Sequence, residues 1–246
     1  MIGVAIPVHN EEDTMVACLE SVLAAARHPA LGGERVLVAV ILDCCSDASL
    51  RIARRYPIAV LECNARNVGV GRAMGAMHLL AAGARWLAFT DADTYVSEHW
   101  LAAQLSLKAD AVCGTISVED WHLHGRHAGL LRQKFLAHYT DADGHRHVHG
   151  ANLGVSASAY CQVGGFPPLA CSEDQALVDA LVQAGIPIAW SALPRVRTSA
   201  RRNYRANGGF GDYLVRLLAR RQPLPALTAG APSRAALPDF TPAAGR

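Results

Sequence analysis

Two carboxylates separated by one residue, Asp91-Ala92-Asp93, stand directly after the apolar run Trp86-Leu87-Ala88-Phe89-Thr90. A tight turn there lets one carboxylate bind a metal while the other reaches a ribose or a metal-bound water. A hard divalent cation accepts such ligands, with diphosphate oxygens and water completing its shell. A second acidic pair, Glu173-Asp174, follows Ser172 at the head of a segment striped with Leu177, Val178, Leu181 and Val182. The helix dipole favours acids in a first turn. One of the pair can also act as a general base toward an attacking hydroxyl. Between residues 64 and 73 the chain reads Asn-Ala-Arg-Asn-Val-Gly-Val-Gly-Arg-Ala. Its glycines allow close backbone approach to a ligand, and Arg66 and Arg72 are candidates for a diphosphate.

These residues need elements to position them. Short β-branched runs at Ile2–Val8, Val36–Leu42, Ile58–Leu61 and Trp86–Thr90 alternate with helix-patterned segments at Thr14–Ala26, from Ser46 or Asp47 to about Arg55, and at Val70–Ala82. Strand, helix, strand at this spacing predicts a mostly parallel α/β sheet covered by helices on both faces. Right-handed crossovers then bring the strand C-termini to one edge. Asn10, Glu11 and Glu12 follow the first strand, Asp43 the second, and Asp91 with Asp93 the fourth. Carboxylates gathered on one rim repel unless a cation or ligand compensates. The dinucleotide GxGxxG and the phosphate-binding GxxxxGK[ST] patterns are both missing after the first strand.

Beyond residue 110 the pattern loosens. A strand at Ala111–Val118, a helix within Gly125–Tyr139, a strand at Leu153–Ala157, the Ser172-capped helix ending at Gly185 and a short strand at Ile186–Trp190 are predicted. Seven of the eleven histidines fall between His122 and His149, and six of them are read as surface residues. The chain divides into one catalytic domain over 1–220 and a Pro/Ala-rich tail at 221–246. Within the domain, about 1–110 is the nucleotide-binding half and 111–220 the acceptor half.

Composition narrows the classes. With 23 Lys and Arg against 21 Asp and Glu, the net charge is +2, which gives no support to a nucleic-acid partner. No run reaches the ~20 apolar residues of a membrane span. The start carries no basic leader, and the seven cysteines, scattered and odd in number, read as free thiols. A cytoplasmic place, peripheral at the inner membrane face for a lipid-linked acceptor, is expected.

The order of Ile6-Pro7-Val8-His9-Asn10-Glu11-Glu12, Leu42-Asp43-Cys44-Cys45-Ser46-Asp47, Asn64 to Gly75, Thr90-Asp91-Ala92-Asp93, Gly164-Gly165-Phe166 and Glu173-Asp174 resembles the family 2 glycosyltransferases of the GT-A fold, over about residues 2–215. The resemblance implies an inverting transfer of one sugar from a nucleoside-diphosphate sugar, with UDP-sugar favoured, to a small-molecule, glycan or lipid-linked acceptor. By the same resemblance Pro7 and Glu11 line the nucleoside pocket, Asp43 bonds the base, and Arg66 or Arg72 meets the nucleotide. Asp91 sits near the ribose or a metal-bound water, and Asp93 ligates Mg²⁺ or Mn²⁺. Asp174 is the base with Glu173 its neighbour, and His149 reaches the diphosphate or the metal. Arg201 and Arg202 fold back over the diphosphate, with Gly208 to Gly211 as a hinge. A sugar nucleotidyltransferase and a non-catalytic nucleotide-sugar-binding protein are the rival readings. The first normally carries a Gly-, Arg- and Lys-containing loop after its first strand, where this chain has His9-Asn10-Glu11-Glu12.

Overall fold

The computed structural model describes residues 1–201 and 209–219. Arg202, Gly208 and the segment 221–246 lie outside the described residues. Strands β1 (Ile2–Val8), β2 (Val36–Asp43), β3 (Ala59–Cys63) and β4 (Trp86–Phe89) form the parallel half of one sheet, ordered β3-β2-β1-β4. Helices α1 (Met15–Ala25), α2 (Ser49–Ala53) and α3 (Val68–Ala81) connect them. The sheet continues with β7 (Leu153–Ser156), β6 (Ala111–Val118), β8 (Ile188–Thr198) and the edge strand β5 (Thr94–Val96). Here β7 runs antiparallel to both β4 and β6, while β6 and β8 are parallel. The whole is an α/β sheet of the GT-A type, parallel in its first half and mixed in its second.

Strand β1 is apolar throughout because both its faces are covered. Ile2, Val4, Ile6 and Val8 pack with Cys18, Leu19 and Val22 of α1. On the other face Ala5, Ala39 and Ile41 pack with Ala76 and Leu79 of α3, and with Leu177 and Leu181 of α7 (Glu173–Gln183). The small residues on that face record how close α3 lies. A Cβ on Gly75 would stand 2.6 Å from Ile41 Cδ1 and 2.9 Å from Ala5 Cβ.

Two elements differ from the sequence reading. Strand β8 continues eight residues past Trp190, so Arg195, Val196 and Arg197 are strand rather than a basic connection. Its pairing with β6 passes from Gly114↔Ser191 to Ile116↔Val196. The extra residues include Pro194, whose missing N–H suits a break in the ladder. The Asn152 side-chain amide fills that break, donating to the carbonyls of Thr115 and Pro194, while its oxygen accepts from Trp100 Nε1 at 2.9 Å. In the histidine-rich stretch, helix α5 (Ala128–His138) is preceded by a 3-10 segment, Trp121–His127. His124 and His145 are buried there, against the surface expectation, and bond the carbonyls of Ala200 and Ser191. The remaining elements are α4 (Trp100–Ser106), α6 (Ala157–Gln162) and α8 (Phe210–Ala219). Among the described residues no helix is long and apolar enough to cross a membrane.

Gly75→Val should destabilise the chain by about 1–3 kcal/mol, because neither Ala5 nor Ile41 has room to yield. Chemical denaturation would register this as a lower midpoint with an unchanged slope, and an unchanged midpoint would refute the tight α3–sheet contact.

Candidate active site

The parallel register places the ends of β1, β2 and β4 on one edge, and with them Glu11, Asp43, Asp91 and Asp93. Asp43 is buried at the end of β2. One of its oxygens accepts from the amides of Ala65 and Arg66, both at 2.8 Å, and the other from the amide of Asn67 at 2.7 Å. Burial works to raise its pKa, but these three N–H bonds outweigh it and hold the carboxyl below its ordinary value. The carboxylate thereby holds the loop 64–67. Asn67 then caps α3, its side-chain oxygen accepting from Val70 N at 3.1 Å. Arg66 is exposed on that loop with φ +48°, and Pro7 lies half-buried beside Gly71.

Arg72 is placed differently from the reading that gave it to the diphosphate. It is 3% exposed and its guanidinium is committed within the protein. Nη2 donates to Asp91 Oδ1 at 2.6 Å, Nε to Glu173 Oε1 at 2.9 Å and Nη1 to the Gly150 carbonyl at 2.7 Å. Glu173 is thereby a buried counter-charge to Arg72. Its neighbour Asp174 faces the other way: Oδ2 accepts from Gly150 N at 2.7 Å and Oδ1 from Gln175 N at 2.8 Å.

A second arginine serves the other carboxylates. Arg201 forms a fork with Glu11, at 2.5 and 2.6 Å, and reaches Asp93 Oδ2 at 3.2 Å. The segment that presents it is clasped to the end of β6. Asp120 accepts from Ser199 Oγ and Ala200 N, each at 2.7 Å, and His124 Nε2 donates to the Ala200 carbonyl at 2.6 Å. Sequence reasoning missed Asp120 and His124. Asp120 follows a strand end as Asp43 does, and that was the available signal. Arg202 lies outside the described residues.

Desolvation pushes the Asp93 carboxyl up to about 7; Arg201 offsets this in part, and the charges of Asp91 and Glu11 add to it. Asp91 and Glu173 are raised as well, first by burial and against the pull of Arg72. The donor set of Asp91 and Asp93 fits a hard divalent cation in kind: adjacent carboxylates with two oxygens each, one of which bonds an arginine. It is not a complete cage. Among the described residues no three His, Cys, Asp or Glu are grouped to hold a metal. His149 does not join Asp91 and Asp93 in such a group. Its Nε2 lies 3.1 Å from the Tyr139 hydroxyl, and burial lowers its pKa to about 3, so the ring is neutral.

A carboxylate rim at the parallel strand ends, faced by a helix-borne acid, defines a GT-A type sugar-transferase fold. The family model for glycosyl transferase family 2 matches residues 3–162, and the chain belongs to that family. Among solved structures, residues 1–349 of S. aureus TarS in complex with UDP-GlcNAc align at a TM-score of 0.62 with 17% identity, covering 88% of this chain and 64% of that one. A mannosyltransferase of Pyrobaculum calidifontis in complex with GDP-Man and Mn²⁺ aligns at 0.62 with 16% identity, over 82% of this chain and 57% of its own. GalNAc-T7 with UDP, GalNAc and Mn²⁺ aligns at 0.59 with 16% identity, over 89% and 47%. The chain thus spans less than two thirds of the length of each. No protein of curated function matches it in sequence.

The raised Asp93 pKa has a consequence for stability. The folded state favours the protonated form, so ionising Asp93 costs stability progressively as pH rises from about 4 through about 7. Asp93→Asn removes that cost. Metal-free Asp93→Asn protein should melt about 2–4 °C above wild type at pH 8 and level with it at pH 4. Thermal scans at the two pH values check this, and a gap that is largest at pH 4 would refute it.

Proposed function

We propose that this chain moves one sugar from a nucleoside-diphosphate sugar to an acceptor hydroxyl with inversion at the anomeric carbon. The observation that carries the reading is the orientation of Asp174. Both its oxygens are held by backbone amides, of Gly150 and Gln175, at the head of a helix facing the strand-end carboxylates. Held so, Asp174 takes the acceptor proton while the acceptor oxygen attacks the anomeric carbon. The carbon–oxygen bond to the diphosphate breaks in the same displacement, and its electron pair leaves with the nucleoside diphosphate. Asp93 and Asp91 would hold Mg²⁺ or Mn²⁺, which supplies positive charge to the leaving group when bound. Arg201 adds a guanidinium beside the same carboxylates, ready to turn from Glu11 and Asp93 toward a diphosphate.

A UDP-sugar is the favoured donor. Two of the three structural neighbours named above were solved with UDP or a UDP-sugar and one with a GDP-sugar. Asp43 gives three of its acceptor positions to the loop 64–67 and offers the remaining one to a ring N–H of the base. The acceptor is a small molecule, a glycan or a lipid-linked sugar, and nucleic acid is not expected as a partner.

Calorimetric titration with UDP, GDP, CDP and TDP, with and without Mn²⁺, tests the donor site. UDP should bind tightest and lose affinity on chelation, and Asp93→Ala should abolish the Mn²⁺ dependence. Asp174→Asn should leave UDP affinity within a few-fold of wild type while lowering transfer by about 10²–10⁴-fold. Wild-type transfer by that variant would remove Asp174 from the role of base. Failure of all four diphosphates to bind would end the transferase reading.

A further inference from the structure

Among the described residues Arg72 is the buried arginine that touches both halves of the site, and its surroundings are built for it. It leaves α3 in the nucleotide half and ends among Asp91 of the strand-end turn, Glu173 of α7 and the Gly150 carbonyl. A Cβ at residue 150 would stand 2.4 Å from Nη2, so glycine is needed there for the guanidinium to sit. The Phe166 ring lies 6.0 Å from the guanidinium carbon and closes the socket. Gly150 is also the residue whose N–H holds Asp174 Oδ2.

We infer that Arg72 is a positioning residue for the transfer step: it orients the base Asp174 through Gly150 and ties it to the donor-side carboxylate Asp91. The inference rests on the transferase reading. The guanidinium pins the carbonyl of Gly150 while the N–H of the same residue pins the base, so a displaced Arg72 frees the two torsions of residue 150 that relate these groups, and the base loses its fixed donor. Glu173 balances the second half of the charge and keeps the fork in plane. Only a guanidinium serves, because its donors bond three acceptors in a fixed geometry, whereas an ammonium is a compact point charge. The one cation and its two carboxylates sit at the junction of the halves, so the distance from donor floor to base is set by one side chain instead of by two loops.

Arg72→Lys and Gly150→Ala test this from opposite sides. The first shortens the fork and keeps a cation; the second drives the guanidinium away without altering a charge. Each variant is titrated with UDP to count binding-competent sites. Release of UDP from UDP-GlcNAc and UDP-glucose, with water as acceptor and Mn²⁺ present, is then measured per competent site. We expect kcat per site to fall about 100-fold, the cost of misplacing a reacting group by an ångström, with UDP affinity within about threefold of wild type. A merely structural arginine would lower the number of competent sites and leave turnover per site unchanged, and that result overturns the inference. If Arg72→Lys does not fold, Gly150→Ala alone decides between the two. If wild type binds another of the four diphosphates instead of UDP, the same assay is run with that nucleotide and its sugars; a wild-type chain that binds none of the four overturns the transferase reading and this inference with it. Wild-type turnover matched by both variants overturns the inference alone.

Discussion

Carboxylates brought to one water-poor rim repel each other, and this chain holds them there with two arginines. Glu11 and Asp93 share Arg201; Asp91 and Glu173 share Arg72. Each arginine is supplied from elsewhere in the chain, one from the helix after the glycine-rich loop and one from beyond the last strand. Breaking either pairing leaves buried charge without a partner, which is far more costly than the net worth of the intact pair. The compensation is incomplete, as the upward displacement of the Asp93 carboxyl records. A rim that remains short of positive charge is suited to receive it, from a cation that accompanies a diphosphate.

The sequence made the architecture of the first half and the rim legible. Apolar runs of strand length separated by helical stripes point to one topology, and the acids that follow Val8, Leu42 and Thr90 could only meet at its edge. Less legible was what each side chain does once there. Asp43 and Arg72 have the right types for ligand contacts, and their positions allow it. Their actual partners are backbone groups at 65–67 and the Gly150 carbonyl, which no spacing rule reveals. The extension of β8 was hidden because a proline inside an apolar run reads as an ending. It is instead tolerated at a bulge whose carbonyls Asn152 satisfies from the bend before β7. Histidines 124 and 145 were misplaced for the same reason: a polar stretch suggests solvent, while each ring has a main-chain carbonyl to bond inside.

The two halves of the site are joined by contacts of unlike kind. On one side a charged fork, Arg72, crosses from α3 to α7. On the other, Asp120 and His124 grip the main chain at 199–200 and so deliver Arg201 to Glu11. The first junction is buried and rigid. The second is more open, with the Arg201 side chain 23% exposed, so exchanging one set of oxygens for another there disturbs no packed core.

The loop clamped by Asp43 carries a further meaning for how such a chain diversifies. What Asp43 grips is main chain, three consecutive N–H groups, and never the side chains that those residues bear. Ala65 and Arg66 are both exposed, so their lettering is free to drift while the wall keeps its shape. The single restraint is at 66, where a positive φ favours glycine or asparagine among replacements. Substitution at 65 and 66 therefore alters the surface of this loop with little penalty to folding, in a frame that the Asp43 clamp leaves intact.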